Sequence, residues 1–271
     1  MHQLMTVAPP RRRPRGAGSM ADLRSSNPVL RRGGFAPPPT PTPEELASHY
    51  RQPSTLTIDD VVVHTLGLFA LLGVGGAVGW VVGRDAPGIA LAAGLVALVI
   101  SLVVSMRNRL RPSLVIAFAL IEGVAVGAIS RFYEDAFAGI VPQALLGTGL
   151  IFVVMLVAYR SRRLRATPRM ARIVTGVLLG VVLLSLVDLL IRAVSGSHLP
   201  VINDATPLGI LFSVLVLGVA SLQFILDFDY IERAIAAGAP RSEAWRAGFG
   251  LLIGFVWVYL EMLRLLSKLR Q

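Results

Sequence analysis

Seven long apolar runs follow one another along most of the chain, and each is long enough to cross a bilayer. An α-helix rises about 1.5 Å per residue, so about 20 apolar residues span the roughly 30 Å of hydrocarbon. The runs lie at residues 61–83, 87–106, 113–130, 140–159, 171–193, 207–227 and 244–266. Backbone groups in lipid must pair within their own segment, and the runs lack the alternation of strands. They therefore predict an all-α membrane protein with a seven-transmembrane-helix bundle.

The composition argues against a soluble enzyme. The chain is 54% apolar and 15% charged, whereas soluble domains are about 45–50% apolar and about 25% charged. The seven runs leave no stretch for a soluble catalytic domain. Cysteine is absent, and the four histidines are scattered without metal-ligand spacing. We therefore expect a protein that is not an enzyme and that has no cofactor.

Residues 1–59 differ sharply from the rest of the chain. They contain an arginine-rich stretch at residues 11–15 and five prolines within residues 37–43. A segment with so much proline and so few large apolar residues cannot bury enough surface to offset the entropy of ordering. We predict a disordered, basic, proline-rich tail over residues 1–59 and a membrane domain over residues 60–271.

The arginines between the runs alternate from one connection to the next. The first and third connections carry only Arg84 and Arg131, and the fifth carries none. The second, fourth and sixth connections carry ten arginines: Arg107, Arg109, Arg111, Arg160, Arg162, Arg163, Arg165, Arg169, Arg233 and Arg241. Because basic connections stay in the cytoplasm, this pattern predicts a cytoplasmic N-terminus. It also favours a membrane over nucleic acid as the reason for the net charge of +10.

The end of the chain does not follow this pattern. Seven crossings from a cytoplasmic N-terminus place the last residues outside, yet Arg264, Lys268 and Arg270 lie there. Either the last segment does not cross fully, or its basic side chains snorkel to the outer interface. We favour a full crossing.

Acidic residues within apolar runs are the candidates for function, because a charge at the bilayer centre costs about 2.5–3.5 kcal/mol on insertion scales. Glu122 lies near the middle of the third run without a basic neighbour within a turn. It is either an ion or proton site or a protonated carboxyl that bonds to another helix. Asp188 has Arg192 four residues on, which a local ion pair explains. Glycines spaced by four, such as Gly123 and Gly127, indicate close helix packing.

Two further acids lie in the last two runs. Asp227 ends the sixth run, and Asp229 lies about 200° away on a helix, so the two cannot face one site. An interfacial position for Asp227 is the alternative to a functional one. Glu261 either pairs with Arg264 or faces Asp227 across the bundle.

Several segments resemble the Bax-inhibitor family, the transmembrane Bax-inhibitor-motif proteins. Residues 226–232 (LDFDYIE) and 259–269 (YLEMLRLLSKL) resemble the last two helices of that family. Residues 121–123 (IEG), followed by Gly127, resemble its third helix. Residues 25–30 (SSNPVL) and 57–62 (TIDDVV) are similar to the actinobacterial branch. The resemblance covers about residue 24 to the end of the sequence.

The resemblance implies a seven-helix bundle whose last helix is surrounded by the other six. It implies a pH-sensitive calcium leak in the bacterial plasma membrane, gated by two carboxyls that share protons. By motif, Asp227 takes the first position and Glu261 the second, where the family usually has aspartate. Calcium prefers several hard oxygen ligands, so we further hypothesise that Glu122 lines the ion path. These three residues are predicted to form a pH gate and path rather than a tight metal site.

The spacing of the two acids bears on that gate. They are 34 residues apart. A straight antiparallel hairpin that turns near Pro240 places Asp227 level with about Gly254, roughly 10 Å from Glu261 along the helix axis. A direct bond between the two carboxyls therefore requires a break in the sixth helix or a connection that folds back.

Two other classes of function compete with a leak. One is a non-conducting protein that binds and modulates a partner such as a membrane protease. In that case the tail or the arginine-rich connections should matter, and the acids should tolerate neutralisation. The other is a secondary transporter, which predicts inverted repeats and broken helices. The runs show no obvious repeat, and Pro87, Pro112 and Pro207 lie at helix starts rather than in helix interiors.

Overall fold

The computed structural model describes residue 42 and residues 55–86, 88–107, 110–197, 199 and 204–271. The chain divides into two units, residues 1–52 and residues 53–271. Apart from Thr42, every described residue belongs to the second unit. The predicted disordered tail therefore falls almost entirely outside the described residues.

Seven helices make up the second unit. Each is long and apolar enough to cross a membrane, and the described residues form no strand beyond one isolated bridge. The predicted seven-helix bundle is confirmed. The helices are α1 (Ile58–Val82), α2 (Gly88–Met106), α3 (Pro112–Ala136), α4 (Ile140–Arg160), α5 (Pro168–Ser195), α6 (Pro207–Ala236) and α7 (Glu243–Leu269).

The helices begin at residues that suit a helix N-terminus. Thr57 forms a capping box at the start of α1: its hydroxyl accepts from the Asp60 backbone N–H, and the Asp60 carboxylate accepts from the Thr57 N–H. Thr167 and Thr206 cap α5 and α6, and a proline follows each of them at the first helical position. Proline is tolerated there because its missing N–H would have no partner within the helix.

Two helices extend past the apolar runs that predicted them. The third run ends at residue 130 and the sixth at residue 227, but α3 continues to Ala136 and α6 to Ala236. Ion pairs between residues four apart support both extensions. Arg131 lies 2.7 Å from Asp135, and Arg233 contacts Asp229. Polar residues mark where a helix leaves the apolar part of the membrane. The backbone hydrogen bonds of the helix continue past that point.

The last helix has the most buried apolar window of the seven, but it packs closely against four helices and not against the six that the resemblance implied. The four helices are α1, α3, α4 and α6. Half of its most apolar window is buried, the largest share of any helix. By contrast, α5 packs mainly against α6, and α2 mainly against α3. Side chains on α7 therefore face several helices at once.

Glycines bring α1 and α3 unusually close together. A Cβ atom added at Gly79 would overlap the Val124 carbonyl, and one added at Gly127 would overlap the Gly76 carbonyl. Gly75 and Gly123 lie in the same interface. The packing role predicted for these glycines is confirmed.

Contacts at the two ends of the bundle fix the direction of each helix. At one end Asp60 at the start of α1 pairs with Arg241 of the sixth connection at 2.7 Å. At the other end the Arg270 guanidinium donates to the Ala138 carbonyl of the third connection, at 3.0 Å. The last helix therefore crosses the whole bundle. The arginine-rich connections lie at the end where α1 begins, which we call the basic end.

One basic residue of α7 departs from its predicted position. Lys268 does not snorkel to the interface, since its side chain is only 3% exposed. Its Nζ donates to the Gly209 carbonyl at 2.8 Å and to the Ser213 hydroxyl at 2.9 Å. These oxygens near the start of α6 replace the water that a snorkelling ammonium would reach.

Candidate functional site

Asp227 lies inside the bundle, between α6 and α7. Its Oδ1 accepts a hydrogen bond of 2.9 Å from the Gln223 side-chain amide, one turn earlier on α6. Its Oδ2 is buried and has no hydrogen-bond partner within the described part of the chain. The carboxyl group is thus removed from water with one oxygen uncompensated, which is the costly condition for a polar group. Asp227 thus lies inside the protein, and its depth relative to the bilayer interface stays a prediction.

Two glycines of α7 make room for this carboxyl group. A Cβ added at Gly250 would lie 3.4 Å from Asp227 Oδ1, and one added at Gly254 would lie 3.3 Å from Oδ2. The glycines are one turn apart, so together they present bare helix backbone to both carboxylate oxygens. This position also confirms the predicted register, in which Asp227 lies level with about Gly254.

Aromatic rings close off one side of Asp227. Phe224 and Phe228 flank it on α6, and Phe152 of α4 meets them edge-on, with ring centroids 5.1 and 5.5 Å away. Asp227 forms no ion pair with any described cation. Its surroundings are therefore apolar apart from the Gln223 amide and the helix backbone.

Glu261 lies seven residues beyond Gly254 on α7, about 10 Å farther along the axis. It is 2% exposed. Its Oε1 accepts from the Arg264 guanidinium at 2.7 Å, and its Oε2 is buried without a partner among the described residues. The structure therefore realises the local ion pair and leaves Glu261 a full two turns from Asp227. Neither a break in α6 nor a folded-back connection shortens that distance.

Glu122 lies between Ala119 and Val126 along one face of α3. These two residues join the apolar clusters around Phe249 and Tyr259 of α7. Glu122 is partly buried. It forms no hydrogen bond or ion pair with any residue that the structure describes. The alternative in which Glu122 is a protonated carboxyl bonded to another helix requires such a hydrogen bond. The described residues of the neighbouring helices do not form it.

The depth of Glu122 follows from two contacts between α3 and α7, which run in the same direction. The rings of Phe118 and Phe249 lie 5.0 Å apart, and farther along the helices the hydroxyls of Ser130 and Tyr259 lie 2.7 Å apart. Glu122, one turn past Phe118, is therefore level with the turn of α7 that follows Phe249. That is the turn against which Asp227 lies, so the two acids share one depth in the bundle.

Two other acids of the apolar runs have local partners. Asp188 pairs with Arg192 at 2.8 Å, as predicted, and its other oxygen accepts from the Leu199 N–H at 2.7 Å. Asp229 pairs with Arg233 near the basic end. Their contacts explain them without an ion path. Within the described residues no group of three acidic or histidine side chains is placed to hold a metal ion.

The family model for Bax inhibitor 1 like proteins matches residues 25–271, which include all seven helices. The chain belongs to the Bax inhibitor 1 like family. No curated protein matches the sequence. The assignment to the actinobacterial branch stays a prediction.

The features of this Bax inhibitor 1 like protein that the sequence did not predict are contacts between distant helices. The Ser130 hydroxyl donates to the Val126 carbonyl at 2.6 Å, so the buried Tyr259 hydroxyl is the donor in its bond to Ser130. No pattern in the sequence signals that pair. Lys268 gave a partial signal, because it is seven residues after Glu261 and thus lies on the same, inward face of α7.

Proposed function

We propose that this Bax inhibitor 1 like protein is a pH-sensitive calcium leak in the plasma membrane, and that Asp227 is its proton-responsive group. One observation carries the proposal: the Asp227 carboxyl lies between α6 and α7 with one oxygen unpartnered. Gain or loss of a proton there changes the charge of this interface by one unit. Coulomb interactions in such apolar surroundings are several times stronger than in water, so this change favours a shift between α6 and α7.

The positions of the other acids support a path along α7. Glu122 shares the depth of Asp227, and Glu261 lies about two turns farther on. Calcium prefers oxygen ligands, and carboxylates placed in steps attract the ion without enclosing it. The proposed path thus has its first acidic step at Asp227 and Glu122 and its second at Glu261.

The proposed gate differs from a pair of carboxyls that share a proton. Because Asp227 and Glu261 lie about 10 Å apart, we propose that they respond to pH separately. Effects of substitutions at sites 7–10 Å apart or more usually add, whereas groups that share a proton depend on each other. If the effects of the two substitutions add, the two carboxyls respond to pH separately. If the effects do not add, the carboxyls share a proton.

The experiment is calcium flux into liposomes that contain the purified protein, across pH 6–8. Asp227→Asn keeps the size and the hydrogen bond acceptor but removes the titratable charge, so we expect its flux to lose most of its pH dependence. Glu261→Gln should change the flux and remove the smaller, remaining part of its pH dependence. In the double variant the two effects on the logarithm of the flux should add.

Asp135→Asn is the matched control. Asp135 is also an aspartate in a helix, but it is 53% exposed in side chain and lies at the end of α3. Its flux should match that of wild type at each pH. If folded Asp227→Asn keeps the wild-type pH dependence, the proposed gate is refuted.

Flux that is absent at every pH from correctly folded wild type would refute the leak itself. That result would favour the alternative of a non-conducting protein that modulates a partner such as a membrane protease. Pull-downs from native membranes, with the arginine-rich connections intact and neutralised, would then be the next experiment.

A further inference from the structure

A large cleft opens at the basic end of the bundle. Its volume is about 1180 Å³, above the roughly 300–1,000 Å³ of pockets that enclose a drug-sized ligand. Residues of α1, α4, α6 and α7 line it. The cleft lies within the membrane-spanning part of the bundle but reaches the connection after α4.

Away from the connection after α4, the lining of the cleft is mostly apolar. Leu66 from α1, Phe152 and Leu156 from α4, and Phe255 from α7 line this part. Leu66 is 64% exposed, so the residues that the structure describes leave this side chain largely uncovered. A surface of this kind within a bilayer suits an acyl chain rather than water.

The mouth of the cleft is basic. Arg160 at the end of α4, and Arg162 and Arg165 in the following connection, line it. None of the three guanidinium groups forms an ion pair with a described carboxylate. Arg162 has a left-handed backbone, with φ of 58°, a conformation that is uncommon for a residue other than glycine. The chain therefore turns sharply where these side chains gather.

The acids that line the same cleft have partners of their own. Asp229 pairs with Arg233, and Glu232 accepts a hydrogen bond from the Tyr159 hydroxyl. Glu232 keeps its negative charge because a phenol is neutral, so the three arginines outnumber one unpaired carboxylate and the mouth carries a net positive charge. An apolar cleft with a positive mouth matches a ligand that has an anionic head and a hydrocarbon tail.

We propose that this cleft binds one anionic phospholipid of the bilayer, with its headgroup phosphate at the three arginines and an acyl chain against Leu66, Leu156 and Phe255. Basic pockets between transmembrane helices are a known setting for anionic headgroups. Arginine suits the phosphate because its planar guanidinium donates two parallel hydrogen bonds to it. The proposal does not depend on ion conduction, so it stands or falls separately from the calcium leak.

The test is lipid retention measured by native mass spectrometry of the purified full-length protein, titrated with dioctanoyl phosphatidylglycerol. Each arginine near an anionic surface changes binding roughly fivefold. We therefore expect Arg160→Gln, Arg162→Gln and Arg165→Gln together to weaken binding about a hundredfold. The matched control replaces Arg163, Arg169 and Arg172 by glutamine, which removes the same charge from the same region but outside the cleft. It should leave binding within about twofold of wild type.

A second variant tests the apolar part without changing charge. Val62 lines the cleft from α1, and Val62→Trp should fill the space of the acyl chain and weaken binding at least tenfold. Dioctanoyl phosphatidylcholine should bind at least tenfold more weakly than the anionic lipid.

Two results would overturn the proposal. One is equal loss of binding in the cleft variant and in its control, since net charge alone would then explain retention. The other is binding of glycerol phosphate as tight as that of the lipid, since a free phosphate site needs no apolar cleft.

Discussion

The close contact between α1 and α3 makes a sharp prediction about Gly79. A Cβ atom at this position would lie 2.9 Å from Val124 Cα and 2.8 Å from its carbonyl carbon, besides overlapping the carbonyl oxygen. Ordinary van der Waals contact begins near 3.4 Å. Because the carbonyl oxygen is the closest of these atoms, Gly79→Ala forces the two backbones apart by about one ångström.

The size of the effect follows from the rigidity of the two helices. A helix cannot bend around one methyl group, so the displacement also loosens the contacts of Gly75 and Gly127 along the same interface. Overpacking of this kind typically costs about 1–3 kcal/mol. We expect Gly79→Ala to lower the free energy of unfolding by about 1–3 kcal/mol. This is roughly a five- to 150-fold change in the equilibrium constant for unfolding.

Gly73→Ala is the matched control, because it lies on the same helix and a Cβ there meets nothing within 4 Å. Its stability should equal that of wild type or exceed it by up to about 1 kcal/mol, because alanine favours the helix more than glycine does. The measurement is reversible unfolding from mixed micelles with increasing dodecyl sulfate, followed by circular dichroism. Equal stability of the two alanine variants would show that α1 and α3 are farther apart than the structure has them.

Three further predictions concern the ends and the centre of the bundle. Lys268→Met should destabilise the protein by about 1–3 kcal/mol, since it removes two buried hydrogen bonds to oxygens of α6; a loss below about 0.5 kcal/mol in the same unfolding assay would contradict this. A double-mutant cycle with Tyr259→Phe and Ser130→Ala should give a coupling energy of about 0.6–1.7 kcal/mol, the range for hydrogen bonds between membrane helices; strict additivity would mean that the bond is absent. In intact cells a membrane-impermeant maleimide should label Ala138→Cys but not Ser161→Cys, and the reverse pattern would overturn the cytoplasmic N-terminus predicted from the arginines.

The sequence specified the bundle well because membrane crossing is a property of single segments. Each apolar run had to be a helix, whatever it packed against. The position of Asp227 along α7 was predictable for a similar reason. Once α6 and α7 form a straight hairpin that turns near Pro240, the helical rise alone places this residue opposite Gly254.

Contacts between helices that are distant in sequence were not predictable. The rule that basic side chains snorkel gave the wrong position for Lys268, because the Gly209 carbonyl and the Ser213 hydroxyl become its neighbours only once the bundle forms. The depth of Glu122 likewise depends on how α3 and α7 slide against each other. Spacing within one helix carries no information about that shift.

The burial of Lys268 also gives the protein a built-in chemical reporter. It is the only lysine in the sequence, so an amine-directed acylating reagent has a single side-chain target. That target stays protected while its Nζ is held against α6. The rate of acylation of this one amine therefore measures how often the ends of α6 and α7 separate, and a mass spectrum of one peptide reads it out.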